Sequence, residues 1–140
     1  YAADDVGATL YAGSATVQTS DARIKENIEN ISLGLDFINK LKPVQFEHRQ
    51  PIDYDDSLKE NLSWHEPDRI LRVGFIAQDV GITLDELGFD SNNNIVDVDK
   101  DTTQQAIAYA HIIAPLVKAV QELSAEVGSL KIKIETLENT

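Results

Sequence analysis

Two residues in the first part of the chain have the types and the spacing for nucleophilic chemistry. Ser20 offers a hydroxyl group, and Lys25, five residues later, offers an amine. A neutral lysine takes the proton of a serine, whose oxygen then attacks a carbonyl carbon. The nearest carbonyl belongs to Thr19, which directly precedes the serine. These residues lead to the hypothesis that the chain cuts itself between Thr19 and Ser20.

The same residues also have a purely structural interpretation. Ser20 or Asp21 is a suitable helix cap, and Lys25 would then be a solvated side chain. Because five residues do not align on one helix face, a working pair requires Ser20 to lie in a non-helical turn before the segment that carries Lys25. Serine and lysine are common, so their spacing alone favours the structural interpretation.

The composition limits the partners and the kinds of site. The 140 residues suffice for one domain with a modest core, and they include no Cys and no Met. The absence of Cys excludes disulfides and thiolate metal sites, and the scattered His residues predict neither a metal nor a cofactor. The net charge of −12 argues against nucleic acid and anionic membranes as partners. No apolar run is long enough to cross a membrane, and the start at Tyr1 predicts a piece of a longer product.

The segments on either side of Ser20 differ in kind. Residues 6–18 are small, uncharged and interrupted by Gly, which suits short strands that form only if they pair with other chains. A disordered terminus is the alternative. Beyond Ser20, apolar spacing predicts a short ordered segment at 22–30 and a helix at 33–41, which ends before Pro43.

A polar insert divides the middle of the chain. Two strand-like runs at 44–49 and 70–76 flank the insert at 50–68, so we expect a hairpin whose tip projects as an arm. Trp64, within the insert, is either a contact anchor or packs back on its own hairpin.

Two short helical pieces at 77–80 and 84–87 are predicted after the hairpin, followed by a turn at 90–94 and a strand at 95–98. The acidic and amide residues of the turn are spaced like the start of a calcium loop, but Ile95 stands where that loop needs Gly. An Asx-rich hairpin turn is the favoured interpretation.

A heptad pattern runs through the C-terminal segment. Its eight apolar residues, which we call the seam, alternate in steps of three and four: Ile113, Leu116, Val120, Leu123, Val127, Leu130, Ile134 and Leu137. Opposite charges flank the seam when identical chains run parallel: Glu126 with Lys131, and Lys133 with Glu138. The helix should begin near His111, since Pro115 is tolerated only in the first turn. The pattern predicts a parallel homo-oligomer and leans towards two strands. A helix packed on its own domain is the alternative.

Several blocks of the sequence, in the same order, resemble the intramolecular chaperone domain at the C-terminus of phage endosialidases, tailspikes and tail fibres. The similar blocks are residues 20–28, residues 35–43 with Phe46, residues 74–80 and residues 109–123. The resemblance covers residues 20–137, which is nearly the whole chain.

This resemblance implies an α+β fold with three parts. Residues 1–19 would be the end of a β-rich stalk, and residues 20–110 a small mixed helix and strand body with a hairpin arm at about 44–76. Residues 111–140 would form a parallel trimeric coiled coil. Gly74, in the central block, is expected to be structural and closely packed.

The resemblance also implies a function. The domain would be a homotrimer that templates folding of the upstream stalk and then releases itself by cutting between Thr19 and Ser20. It would act as a single-turnover serine peptidase with Ser20 as nucleophile and Lys25 as base. Burial in the trimer would lower the lysine pKa from its ordinary value of about 10.4. Arg23 and Asn27 are candidates for positioning the junction or stabilising the oxyanion.

Partners and location follow from the same resemblance. The domain would bind its own copies and the stalk of its own polypeptide, with the insert at 50–68 as the gripping arm. It would belong to a tail fibre precursor made in the host cytoplasm and would be absent from the mature virion after release. The alternative function is a trimerisation cap or receptor-binding tip that stays attached. A multiple-turnover hydrolase lacks support, because the sequence has no carboxylate pair or other cleft signature.

Overall fold

The computed structural model describes residues 9–12, 15–50, 53–58, 70–101 and 103–140. Contacts within the chain divide it into two compact units, residues 1–30 and residues 31–140. The domain boundaries expected after residues 19 and 110 stay predictions.

The first unit contains a β-hairpin and a short turn. Strands β1 (Thr9–Ala12) and β2 (Ala15–Gln18) are antiparallel, and all four residues of each strand are paired. We expected these strands to need other chains, whereas the structure pairs them with each other. Only two residues, Gly13 and Ser14, separate the strands in the sequence, and a two-residue connection that contains Gly suits a hairpin. A 3-10 turn at Ala22–Ile24 follows.

The second unit is built around helices α1 (Leu35–Lys40) and α2 (Ala77–Glu86), which contact each other. Phe37 of α1 is fully buried. The buried apolar core consists of Leu33, Phe37, Val80, Leu84, Ile95 and Ile112. Residues from four separate stretches of the chain therefore meet in one small core, as the predicted α+β body requires.

The predicted hairpin strands pair as expected. Strand β3 (Val44–Phe46) is antiparallel to β4 (Arg72–Gly74). Within the insert, residues 53–58 are described, and the Leu58 amide donates to the Asp55 carbonyl at 2.8 Å. Most of the hairpin tip, including Trp64, lies outside the described residues. The projection of the arm therefore stays a prediction.

Helix α2 is one continuous helix rather than the two pieces that the sequence suggested. Gly81 lies between the two predicted pieces and lowers helix propensity by about 1 kcal/mol relative to Ala. Burial of Val80 and Leu84 on either side of Gly81 outweighs that weak preference. The helix ends before Gly88, whose φ of 67° lies in the left-handed region that glycine adopts without strain.

Strands β5 (Val96–Val98) and β6 (Gln105–Ile107) form a third antiparallel pair that packs on α2. Asp90 begins the preceding turn, where its Oδ1 accepts from the Asn92 amide at 2.9 Å and its carbonyl accepts from Asn93 Nδ2 at 2.8 Å. The structure thus has the Asx-rich turn that the sequence favoured, but the turn joins α2 to β5 rather than two strands of a hairpin. Within the described ranges, no group of three or more His, Asp or Glu side chains could hold a metal ion.

Helix α3 (Ile113–Glu138) dominates the C-terminal third of the chain. It follows a 3-10 turn at Tyr109–Ile112, so Pro115 lies in the first helical turn, as predicted. The 26 residues span about 39 Å. The first part of α3 packs on α1, whereas every residue from Leu123 onward is exposed. In the part of the chain that the structure describes, no helix is both long and apolar enough to span a membrane.

Tyr109, just before α3, packs against Gly74 and Phe75 at the start of the block at residues 74–80. Its hydroxyl accepts a hydrogen bond from the Phe75 amide at 3.0 Å, and the two rings stack with centroids 6.0 Å apart. A Cβ atom on Gly74 would lie 2.4 Å from the Tyr109 Oη. The expected close packing at Gly74 is confirmed, and its cause is this tyrosine.

Candidate active site

A 3-10 turn at Ala22–Ile24 separates Ser20 from Lys25. Asp21 caps the turn from an extended backbone (φ −73°, ψ 131°), and its Oδ1 accepts from the Arg23 amide at 2.9 Å. Lys25 ends the turn, where its amide donates to the carbonyl of the first turn residue at 3.1 Å before the backbone becomes extended again. The chain therefore bends sharply between the two residues that were predicted to react.

The turn brings the side chains of Ser20 and Lys25 together. Lys25 Nζ donates a hydrogen bond to Ser20 Oγ at 2.7 Å. Once the amine is neutral, the same separation allows proton transfer from the hydroxyl to the nitrogen, since a general base must lie within hydrogen-bond reach. Both residues are exposed in the single chain, so water surrounds the pair. The arrangement can generate a serine nucleophile wherever the lysine loses its proton.

Arg23 and Asn27, the other two predicted site residues, have different surroundings. The Arg23 guanidinium binds the Asp21 carboxylate at 2.7 Å, an ion pair that sequence reasoning missed. Hydrogen bonds from the Arg23 side chain and amide hold the pKa of Asp21 below its ordinary range, and the carboxylate raises the pKa of Arg23. Asn27 adopts a left-handed backbone with φ 53°, which asparagine tolerates better than most residues. Arg23 is thus bonded within the turn rather than to Ser20 Oγ.

The seam of α3 is not used for packing within the chain. Its eight residues are 44–73% exposed. The helix packs on the body through another face, where Ile112, Pro115 and Ala119 are buried. The alternative interpretation, in which the seam packs on its own domain, is therefore wrong for a single chain. A continuous apolar surface of this length remains open to a partner.

One family model matches the chain. The family is described as "Chaperone of endosialidase" (Peptidase_S74), and the match covers residues 20–88. The matched segment begins at Ser20 and includes Lys25, α1, the β3–β4 pair and α2. No curated protein matches the chain at a significant level. Residues 20–88 of the chain are therefore similar to the chaperone-of-endosialidase family.

Proposed function

We propose that this chain is an intramolecular chaperone that trimerises, templates folding of an upstream phage tail fibre or tailspike stalk, and then releases itself by autoproteolysis between Thr19 and Ser20. The observation that carries the proposal is the hydrogen bond of 2.7 Å between Lys25 Nζ and Ser20 Oγ. Ser20 is the first residue of the family match, and only Thr19 separates it from β2. The reactive pair would thus stand at the border between stalk and chaperone.

The cleavage chemistry uses only groups of the chain and one water molecule. Neutral Lys25 Nζ takes the proton of Ser20 Oγ, and the oxygen attacks the Thr19 carbonyl carbon. Collapse of the tetrahedral intermediate breaks the bond from this carbon to the Ser20 nitrogen, which receives a proton from the Lys25 ammonium. The Thr19 acyl group is then an ester on Ser20 Oγ. Water hydrolyses the ester, leaving a carboxylate on Thr19 and a free amine on Ser20.

Assembly would control when this reaction starts. A solvated lysine is almost entirely protonated near neutral pH, and Lys25 is exposed in the single chain. Transfer of a lysine into apolar surroundings lowers its pKa and frees the base. A trimer formed along the exposed seam would supply neighbours that a single chain lacks. Release would therefore follow folding, and each domain would cut only once.

The remaining parts of the proposal concern the partners. The domain would bind its own copies along the seam, and the insert at 50–68 would contact the stalk of the same polypeptide. It would be part of a tail fibre precursor in the host cytoplasm and would leave before the virion matures. If the domain instead stays attached, its role is that of a trimerisation cap or receptor-binding tip.

Intact mass of the freshly made protein tests the proposal. We expect the wild-type chain to separate into residues 1–19 and 20–140. Ser20→Ala removes the nucleophile, and Lys25→Arg keeps the charge but does not lose its proton near neutral pH. Both variants should stay uncut over days.

Matched controls use the same substitutions at exposed positions elsewhere, Ser129→Ala and Lys42→Arg. Both controls should cut at the wild-type rate. A wild-type chain that stays whole after assembly would favour the attached cap. Normal cutting by Lys25→Arg would remove this lysine from the mechanism.

A further inference from the structure

Two charged residues of α3 hold the backbone at the start of the second unit. Lys118 Nζ donates a hydrogen bond to the carbonyl of Ile31. Glu122 Oε2 accepts from the amide of Leu35 at 3.4 Å, and the two side chains form an ion pair at 3.7 Å. Each of the two hydrogen bonds joins residues 87 positions apart in the sequence. We call this set of contacts the backbone clamp.

The clamp and the seam occupy different faces of the same helix. Pro115 and Ala119, which are buried against the body, lie beside the clamp. The clamp side chains are partly buried, with exposures of 32% and 41%. Leu116 and Val120 of the seam are exposed. Because a helix is stiff over two turns, fixing the seam against other copies also fixes the clamp groups on the same turns.

The clamp acts on the backbone that follows the reactive pair. Ile31 comes six residues after Lys25 in the sequence. Attack of Ser20 on Thr19 depends on accurate placement, since a misplacement of about 1 Å can lower a rate on the order of 100-fold. An assembly signal that starts on α3 must reach residues 20–25 through the chain or its neighbours. The clamp is the contact by which α3 holds Ile31 and Leu35.

We propose that Lys118 and Glu122 are positioning residues for the self-cleavage, which transmit assembly of the seam to the reactive pair by holding the backbone of Ile31 and Leu35. This inference rests on the proposed autoproteolysis. Neither residue touches the reacting atoms. Their effect should therefore be on the rate of cutting in the assembled protein rather than on assembly itself.

Conservative and disruptive variants separate the clamp from the ion pair. Lys118→Arg can still donate to the Ile31 carbonyl, whereas Lys118→Met keeps an apolar stem and removes the donor. Glu122→Gln keeps an acceptor for the Leu35 amide, whereas Glu122→Leu removes it. The exchange Lys118→Glu with Glu122→Lys preserves the opposite charges but places an acceptor where the donor stood. If the clamp matters, the exchange should behave like the disruptive variants.

Gly34→Ala perturbs the clamp without altering α3. A Cβ atom at this position would lie 2.1 Å from Glu122 Oε1, so the carboxylate must move away. The neighbour is the end of a flexible side chain, so the fold should survive the change. We expect the Leu35 amide to lose its partner and the cutting rate to fall as in Glu122→Leu.

The experiment measures the rate of appearance of residues 20–140 by intact mass, with oligomeric mass and melting temperature measured on the same samples. Wild type and Ser20→Ala show first whether the proposed cleavage occurs.

Four variants should cut roughly 10- to 100-fold more slowly while fully assembled: Lys118→Met, Glu122→Leu, the exchange and Gly34→Ala. Lys118→Arg and Glu122→Gln should cut within about threefold of wild type. In these slower variants, the cutting rate should be lower by the same factor at every pH. The pH at which the rate changes should be the same as in wild type.

Assembled disruptive variants that cut at the wild-type rate would overturn the clamp and leave the proposed function standing. Slow cutting that merely follows loss of assembly or of melting temperature would also overturn it, because the clamp would then be only structural. If the wild type fails to cut, or Ser20→Ala cuts normally, the proposed function and the clamp fall together. In the uncut Ser20→Ala protein, Lys118→Met should also speed amide hydrogen exchange over residues 31–35.

Discussion

The hydrogen bond between Lys25 and Ser20 depends on the turn that lies between the two residues. Ser20 and Lys25 are five positions apart, a spacing that a regular helix does not place on one face. The 3-10 turn at Ala22–Ile24 brings the two side chains together instead, and the side chain of Asp21 caps this turn. The two interpretations of the sequence are therefore both present at this site, because the capping residue and the serine–lysine contact belong to the same turn.

The cap of this turn should control the cutting rate. Asp21→Ala removes the acceptor for the Arg23 amide, whereas Asp21→Asn keeps a side-chain oxygen that is nearly as good a cap. We expect Asp21→Ala to cut clearly more slowly than wild type and Asp21→Asn to stay close to it. Intact mass over time gives both rates. Equal slowing in the two variants would mean that the ion pair, rather than the cap, organises the turn.

The carboxylate of Asp21 should titrate below its ordinary pKa of 3.8, because the Arg23 side chain and amide favour the charged form. A lowered pKa means that this support of the turn is fully present above pH 3.8 and is lost as the pH falls through the lowered value. An NMR titration that follows the carboxyl carbon of Asp21 in the uncut Ser20→Ala protein measures the midpoint of this protonation. Arg23→Gln should raise it towards 3.8. An identical midpoint in both proteins would contradict the assigned cause.

At the scale of elements, the periodic spacing of apolar residues predicted best those helices and strands that pack through one face. Helices α1 and α3 were predicted close to their observed bounds, because their apolar spacing matches the faces that they bury or leave exposed. The β3–β4 pair was predicted in the right place, but each strand has three residues and is shorter than the predicted runs at 44–49 and 70–76. Helix α2 was predicted as two pieces at 77–80 and 84–87, whereas burial of Val80 and Leu84 stabilises one continuous helix through Gly81. Local preference gives way to tertiary packing in such segments.

The site was only partly predictable for a related reason. The serine–lysine pair was found from residue type, spacing and the resemblance of its block. The Asp21–Arg23 ion pair and the contacts of Lys118 and Glu122 were missed. The latter join residues 87 positions apart, and no periodic pattern in one sequence marks such contacts. Their local signal is a Lys–Glu pair four residues apart, which is common on any helix surface.

Gly74→Ala should strain the junction between β4 and the start of α3. The new methyl group would lie 2.4 Å from Tyr109 Oη and 3.3 Å from its Cζ. Overpacking of this kind costs about 1–3 kcal/mol in the free energy of unfolding. Tyr109→Phe removes the clashing hydroxyl together with its hydrogen bond to Phe75. The double variant should therefore be less destabilised than the sum of the single variants, which denaturant unfolding of Ser20→Ala protein would measure. If the destabilisation of the double variant equals the sum of the two single variants, the clash with Tyr109 is not the cause of the strain.

At the scale of the whole molecule, charge and apolar surface oppose each other. Each chain carries a formal charge of −12, so copies repel as they approach. The seam offers eight exposed apolar residues along one helix as the opposing attraction. Charge pairs such as Glu126 with Lys131 would add orientation more than affinity, because exposed pairs contribute about 0–1 kcal/mol each. Assembly should therefore depend strongly on individual seam positions.

The last prediction links that dependence to release. Val127→Asp puts a like charge from every copy at one level of the seam, where repulsion and desolvation both oppose association. Val127 lies far from Ser20 in sequence and on the exposed face of α3, so each monomer should keep its fold and its serine–lysine contact. We expect the variant to be monomeric by light scattering at micromolar concentration and to stay uncut, because Lys25 then lacks the neighbours that assembly would supply. Ser129→Asp adds the same charge outside the seam and should assemble and cut normally. A monomeric Val127→Asp protein that cuts at the wild-type rate would separate release from assembly and leave the turn alone as the peptidase.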